Sequence, residues 1–159
     1  MNNKLGLTEY SLRVIEKEIV KLKMKLLNES FSFNKSLFDL EYLKELHNFL
    51  FSDIYFEDQT KTRKLSKIEL HYINNLLEQI KIICITNSFD IEKILEILCE
   101  LWYFQPFYNG NTRTLIAYLK VLNDSFLLEL NIDLDKEIKS APSIFKKENF
   151  VNQKRLTKK

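Results

Sequence analysis

A chain of 159 residues with only two glycines and two prolines has few places to break a regular backbone. Sandwiches and barrels of short strands need turn residues about every ten positions, so this scarcity argues against them and for long helices. The apolar spacing agrees. Leu12, Ile15, Ile19, Leu22 and Leu26 recur at alternating steps of three and four, with Glu16, Lys17, Lys21, Lys23 and Lys25 filling much of the gaps. That predicts an amphipathic first helix with one buried stripe. Asp39 is placed to cap a second helix running to about Tyr55, with Leu43, Leu46, Phe49 and Leu50 toward the core. Ser66-Lys67-Ile68-Glu69 is a capping-box pattern, opening a third helix toward Cys84. Asn87 to Asp90 hold caps for a fourth helix carrying Ile94, Leu98, Leu101 and Trp102. Past a short break, Leu115, Ile116, Tyr118, Leu119, Val121 and Leu122 make a helix apolar nearly all round, as at the buried centre of a domain. Shorter helices are expected near Asp135–Ser140 and Pro142–Asn152. Residues 56–65 read as a polar, basic connection.

The length fits one domain over residues 1–159, with the last few residues a flexible basic tail. Hydrophobic residues at 45% and charged residues at 29% are ordinary for a soluble globular protein. A net charge of +2 is too small to imply wholesale binding to a phosphate backbone. Two basic clusters, Lys61, Arg63, Lys64 and Lys67 and then Lys154, Arg155, Lys158 and Lys159, read first as solvated surface. Cys84 and Cys99 sit among apolar residues and read as reduced core thiols. No secretory leader and no run of about 18 apolar residues is visible, so a cytoplasmic location without a membrane span is the expectation.

The break between the fourth and fifth helices, Gln105-Pro106-Phe107-Tyr108-Asn109-Gly110-Asn111-Thr112-Arg113-Thr114, holds one of the two prolines and one of the two glycines. Gly110 permits close backbone approach or positive φ. The residues after it begin a helix, whose unpaired N–H groups and dipole favour an anion. Arg113 in that first turn is poorly placed for the dipole unless something anionic is near. A phosphate-sized anion site and a plain helix corner with a capping glycine both remain open on these grounds.

The segment resembles the Fic signature, His-Pro-Phe-x-(Asp/Glu)-Gly-Asn-Gly-Arg-x-x-Arg. Pro106, Phe107, Gly110, Asn111 and Arg113 agree, and Thr112 is a mild departure. The stretch Phe38-Asp39 through Leu46-His47 to Asp53-Ile54-Tyr55 resembles the helix that precedes the target-docking flap in that family, and the likeness runs roughly from Thr8 to Leu130. The resemblance implies an all-α Fic (fido) domain of about six to eight helices, which binds ATP with Mg²⁺ and moves AMP to a target hydroxyl. It also implies what is missing. Gln105 stands at the general-base histidine, and a neutral amide is not basic near pH 7, where such a base contributes about a hundred- to ten-thousand-fold. Asn109 stands at the acidic Mg²⁺ ligand and is a weak substitute. Ile116 stands at the arginine that grips the distal phosphates. Phe56 to Lys64 leaves the β-hairpin flap short or missing. Glu148-Asn149 is near the register of the family's inhibitory motif, but Ile144 replaces its Ser/Thr and Ser143 lies one residue out of register.

The expectation is a degenerate Fic protein without normal AMP transfer, acting by binding another protein, such as a Fic protein or its target, in a bacterial toxin–antitoxin or regulatory setting. One alternative is a nucleotidyltransferase with a non-standard site, holding nucleotide through Phe107, Gly110, Asn111, Thr112 and Arg113 with weakened ATP–Mg²⁺ binding. The other is a basic helical module for RNA or ribosomes, disfavoured because no aromatics interleave the basic clusters. His47 and His71 read as packing and surface residues rather than as a replacement base.

Overall fold

The structure is a computed structural model that describes residues 2–27, 36–86, 90–132, 145–146 and 149–150. Five α-helices follow in chain order: α1 (Glu9–Leu26), α2 (Leu40–Phe51), α3 (Lys67–Ile85), α4 (Ile91–Phe104) and α5 (Asn111–Phe126). No strand occurs among the described residues, and the all-helical expectation holds. Of the shorter helices expected after residue 132, Asp135–Ser140 and most of Pro142–Asn152 lie outside the described residues, as do Ser143, Ile144, Glu148 and the basic tail.

The starts of α2, α3 and α4 are where the sequence placed caps, and Thr8 caps α1. Thr8 Oγ1 accepts from the Ser11 N–H, and Asp39 accepts from the Glu41 N–H. Ser66 and Glu69 close a reciprocal box, each side chain accepting from the other's backbone N–H at 3.1 Å. Asp90 accepts from the Lys93 N–H at the start of α4. Each such cap is worth about 1 kcal/mol, because it satisfies a donor that has no partner inside the helix. The second helix ends at Phe51, short of the expected Tyr55. Past Phe51 the chain tightens into a turn: the Ile54 N–H donates to the Phe51 carbonyl three residues back, and the Tyr55 N–H shares that acceptor.

The centre is α5. Leu115, Ile116, Ala117, Tyr118, Leu119 and Leu122 are buried together, and the Tyr118 hydroxyl donates to the Leu37 carbonyl at 2.7 Å. α2 packs on one side of it with Leu43, Leu46 and Leu50, and α4 on another with Ile94, Leu98 and Leu101. α3 lies against α4 through Ile73, Leu76, Leu77 and Ile80. Phe145 and Phe150 add to the core, and the Phe150 carbonyl accepts from the Asn131 N–H. Phe49 is only partly buried, with the Lys23 ammonium over its ring.

The first helix departs from its expected stripe. Leu12 is buried, but the rest of the buried face is Val20 and Met24, followed by Leu27 just past the helix. Ile19 is partly covered, while Ile15, Leu22 and Leu26 are 41%, 61% and 45% exposed. The apolar arc of α1 is wider than the three-four stripe, and the fold uses the other side of it.

Between α2 and α3, residues 57–59 make one 3-10 turn, and Thr62 forms a single antiparallel bridge with Phe107. No hairpin stands there. Cys84 is buried and Cys99 partly so; both are free thiols, and burial pushes their pKa values up, for Cys84 to about 11. No described helix is long and apolar enough to cross a membrane.

Candidate functional site

The loop between α4 and α5 is built by three side chains that bind backbone, Gln105, Asn111 and Thr114, and by Thr112, which binds a side chain. α4 ends on Gln105, a non-glycine residue in the left-handed region at φ 47°. That conformation is disfavoured for a residue with a Cβ and persists where its surroundings hold it. Here the side chain does the holding: Nε2 donates to the Trp102 carbonyl at 2.7 Å, and Oε1 accepts from Asn111 Nδ2 at 3.0 Å. Asn111 is buried and spans the loop. Its Oδ1 accepts from the Phe107 N–H at 3.0 Å, and its Nδ2 also donates to the Phe107 carbonyl at 2.9 Å. Thr114 Oγ1 donates to the Gly110 carbonyl, and Thr112 Oγ1 accepts from the Trp102 indole at 3.0 Å.

Arg63 reaches this loop from 41 residues away. Its Nε donates to the carbonyls of Phe104 and Gln105, and its Nη2 to Phe104 and to Glu69 at 2.6 Å. A guanidinium at the end of α4 satisfies carbonyls that have no helical partner and meets the negative end of the dipole. The same guanidinium, with the Ser66 backbone, holds the Glu69 carboxyl below its usual range. Arg63 therefore leaves the basic cluster in which its sequence neighbours placed it, while Lys61, Lys64 and Lys67 stay exposed.

Gly110 caps α5 at φ 73°. A Cβ there would stand 2.5 Å from two ring carbons of Phe51 and 3.3 Å from His47 Nε2, so glycine is required by conformation and by space. His47, fully buried on α2, stacks on Phe107 at 4.1 Å with the rings 8° apart. Its Nε2 lies 2.9 Å from the Asn109 carbonyl, an acceptor, so that nitrogen carries the proton. Nδ1 faces the Thr60 backbone without completing a hydrogen bond. Desolvation lowers the imidazole pKa against the opposing pull of these backbone groups. Committed to a carbonyl and sealed from solvent, His47 packs the loop from beneath. His71 is exposed on α3.

The anion beside Arg113 is inside the chain. Arg113 Nη1 donates to Glu16 on α1, and the other oxygen of Glu16 accepts from the Tyr55 hydroxyl at 2.7 Å. The two charged side chains are 25% and 15% exposed. Burial and the Glu16 carboxylate together raise the Tyr55 phenol. Ile116, at the position of the signature's last arginine, is buried in the core.

Fit to the implied nucleotide and metal can be tested group by group. Phe107, Asn111, Thr112 and Arg113 spend their side chains on packing or on internal partners. The first turn of α5 has no side-chain cap at Gly110, which leaves its backbone N–H groups as the remaining anion donors. Asn109 Oδ1 is buried without a hydrogen-bond partner, and it is a single neutral oxygen. No group of three or more His, Cys, Asp or Glu side chains able to hold a metal occurs among the described residues. A resident Mg²⁺ does not fit that donor set, since the ion takes carboxylate and phosphate oxygens in octahedral array.

Sequence reasoning missed Glu16, Tyr55 and Arg63. For Glu16 the signal was present: with Leu12, Val20 and Met24 it falls on one row at steps of four, an acid on what proves to be the buried side.

These features define a helical domain organised around a glycine-capped corner that enters its central helix. A model of the Fic/DOC family matches residues 37–122, and the chain belongs to that family. The match takes in α2 to the heart of α5 and leaves α1 outside, a narrower span than Thr8–Leu130. No curated protein matches the chain.

Proposed function

We propose that this Fic/DOC-family protein does not transfer AMP and acts by binding another protein, a Fic protein or the target of one, in a bacterial toxin–antitoxin or regulatory setting. The observation that carries the reading is Gln105. Its amide is bound at both ends, to the Trp102 carbonyl and to Asn111, and it supplies no base. Ile116 in the core and Arg113 on Glu16 support the same reading, because neither side chain is offered to a phosphate. The test is transfer of α-phosphate-labelled ATP into a bacterial lysate, beside an active Fic enzyme and an Arg113→Ala variant. No label on any band is the expected result. A labelled band that disappears with Arg113→Ala would make the chain an enzyme.

One observation favours a second reading, a nucleotidyltransferase with a non-standard site. The first turn of α5 lacks a side-chain cap, so no side chain takes up its N–H groups, the donors an anion would use. Under that reading ATP with Mg²⁺ raises the melting temperature, since a ligand bound only to the folded state stabilises it. Under the first reading it does not.

A further inference from the structure

The start of α3 presents a basic face that the fold leaves unused. Lys67, Ile68, His71 and Tyr72 are all exposed there, Ile68 at 83%. Lys67 with His71, and Ile68 with Tyr72, stand four residues apart, so two rows run side by side along the helix. Lys61 and Lys64, also exposed, come just before it on the connection from α2, with Glu57 and Asp58 further back on the 3-10 turn. Among the described residues Lys61, Lys64 and Lys67 are in no ion pair. The acids nearest the face are engaged elsewhere: Glu69 by Arg63 at 2.6 Å, and Glu100 by the Tyr72 hydroxyl at 3.0 Å. Lys64 and Lys67 also stand at the positive end of the α3 dipole, where a cation costs stability. Unpaired cations kept against that dipole, beside an isoleucine open to water, do nothing for the stability of the fold.

We propose that this face docks an acidic segment of a partner protein, which sets an apolar side chain on Ile68 and carboxylates on Lys64 and Lys67. The inference rests on the reading that the chain acts by binding another protein, and it names the chemistry of that partner. Charge complementarity selects an anion, and the rest of the face selects a polypeptide. Its most exposed apolar group is aliphatic and has no ring on which a base could stack. The Tyr72 ring is already taken, with its centroid 4.9 Å from that of Phe104 and its hydroxyl on Glu100. Glu100 at the edge of the face, and Glu78 two turns beyond His71, would repel a continuous run of phosphates. A short peptide crossing the start of α3 need not extend to either.

Fluorescence anisotropy of a labelled peptide repeating Glu-Leu-Asp-Phe, titrated with the full chain, is the test. A Kd of about 10–100 μM is expected at low salt, weakening severalfold as salt is raised. Lys64→Glu with Lys67→Glu should weaken binding at least about twentyfold, and Ile68→Ser about fivefold. These side chains are exposed, so unchanged helical circular dichroism separates lost binding from lost folding. The same peptide with Gln and Asn in place of its acids should not bind, and a uridine oligonucleotide should bind more weakly than the acidic peptide. No binding at about 1 mM chain, equal binding of the neutral peptide, indifference to the substitutions, or tighter binding of the oligonucleotide would each overturn the proposal. Label transferred from ATP to a lysate protein would instead count against the binding reading and leave these titrations as they are. Failed titrations with no label transferred would remove this surface alone.

Discussion

Two regions of this chain carry its most conspicuous sequence, and the fold treats them in opposite ways. The loop from Gln105 to Arg113 reads as a place for a ligand, yet Gln105, Asn111, Thr112 and Arg113 are bound within the chain. The three-four stripe on α1 reads as core, yet Ile15, Leu22 and Leu26 face outward. An unusual motif is thus turned inward as a corner, and an ordinary amphipathic pattern is turned outward as a surface. Availability is decided by the partners the fold brings, and those partners are far away in sequence: Glu16 for Arg113, Arg63 for the end of α4.

Substitutions can break this contrast. The largest effect should come from Gly110→Ala, which sets a methyl against the Phe51 ring in a backbone conformation alanine disfavours. A loss of about 3 kcal/mol in urea unfolding is expected. A loss under about 0.5 kcal/mol would show that the corner yields and is not the rigid element described. Asn111→Ala should cost about 2 kcal/mol by the same measurement, since it strips the buried Phe107 N–H of its acceptor and Gln105 of one of its two anchors.

Glu16→Gln keeps the shape and removes the charge opposite Arg113. About 1 kcal/mol should be lost, with a larger change in protease sensitivity at α1 than at α4. Equal sensitivity would mean that α1 is held by its apolar face alone.

Acid should loosen the same corner. The folded His47 pKa lies below the ordinary value of 6.5, so the unfolded chain takes up the proton first as pH falls. The contribution is complete above about pH 6.5 and is lost below it, by at most about 1.4 kcal/mol per pH unit. Melting temperatures at pH 7.5 and 5.5 should separate in that direction, and a His47→Gln variant should narrow the gap. The smallest effect belongs to the other region. Leu22→Glu should leave folding stability within about 0.5 kcal/mol, because that side chain is 61% exposed. A large loss there would return the stripe to the core.

What was legible in the sequence was local. Asp39, Ser66 with Glu69, and Asp90 announced helix starts through contacts spanning two or three residues, and the all-round apolar run after Leu115 announced the central helix. The loop's residues were found, and so was the oddity of a cation in the first turn of α5. Its resolution was not, since Glu16 lies 97 residues away and looked like one more surface acid on an amphipathic helix. The stripe on α1 was misassigned for a related reason. Two apolar rows run side by side on that helix, and periodicity alone cannot say which of them meets α2.

The bond from Glu16 to Arg113 also sets an order of assembly. Glu16 is synthesised with α1, and Arg113 arrives only after α2, α3 and α4 have emerged. Until then Glu16 lacks its Arg113 partner, and α2 and α4 have no central helix to lie on. A chain cut before residue 113 can still bring α1 to α2 and α3 to α4, but it lacks the central helix on which α2 and α4 both pack, and joining that helix to α1 carries the loop-closure cost of contacts of long sequence separation.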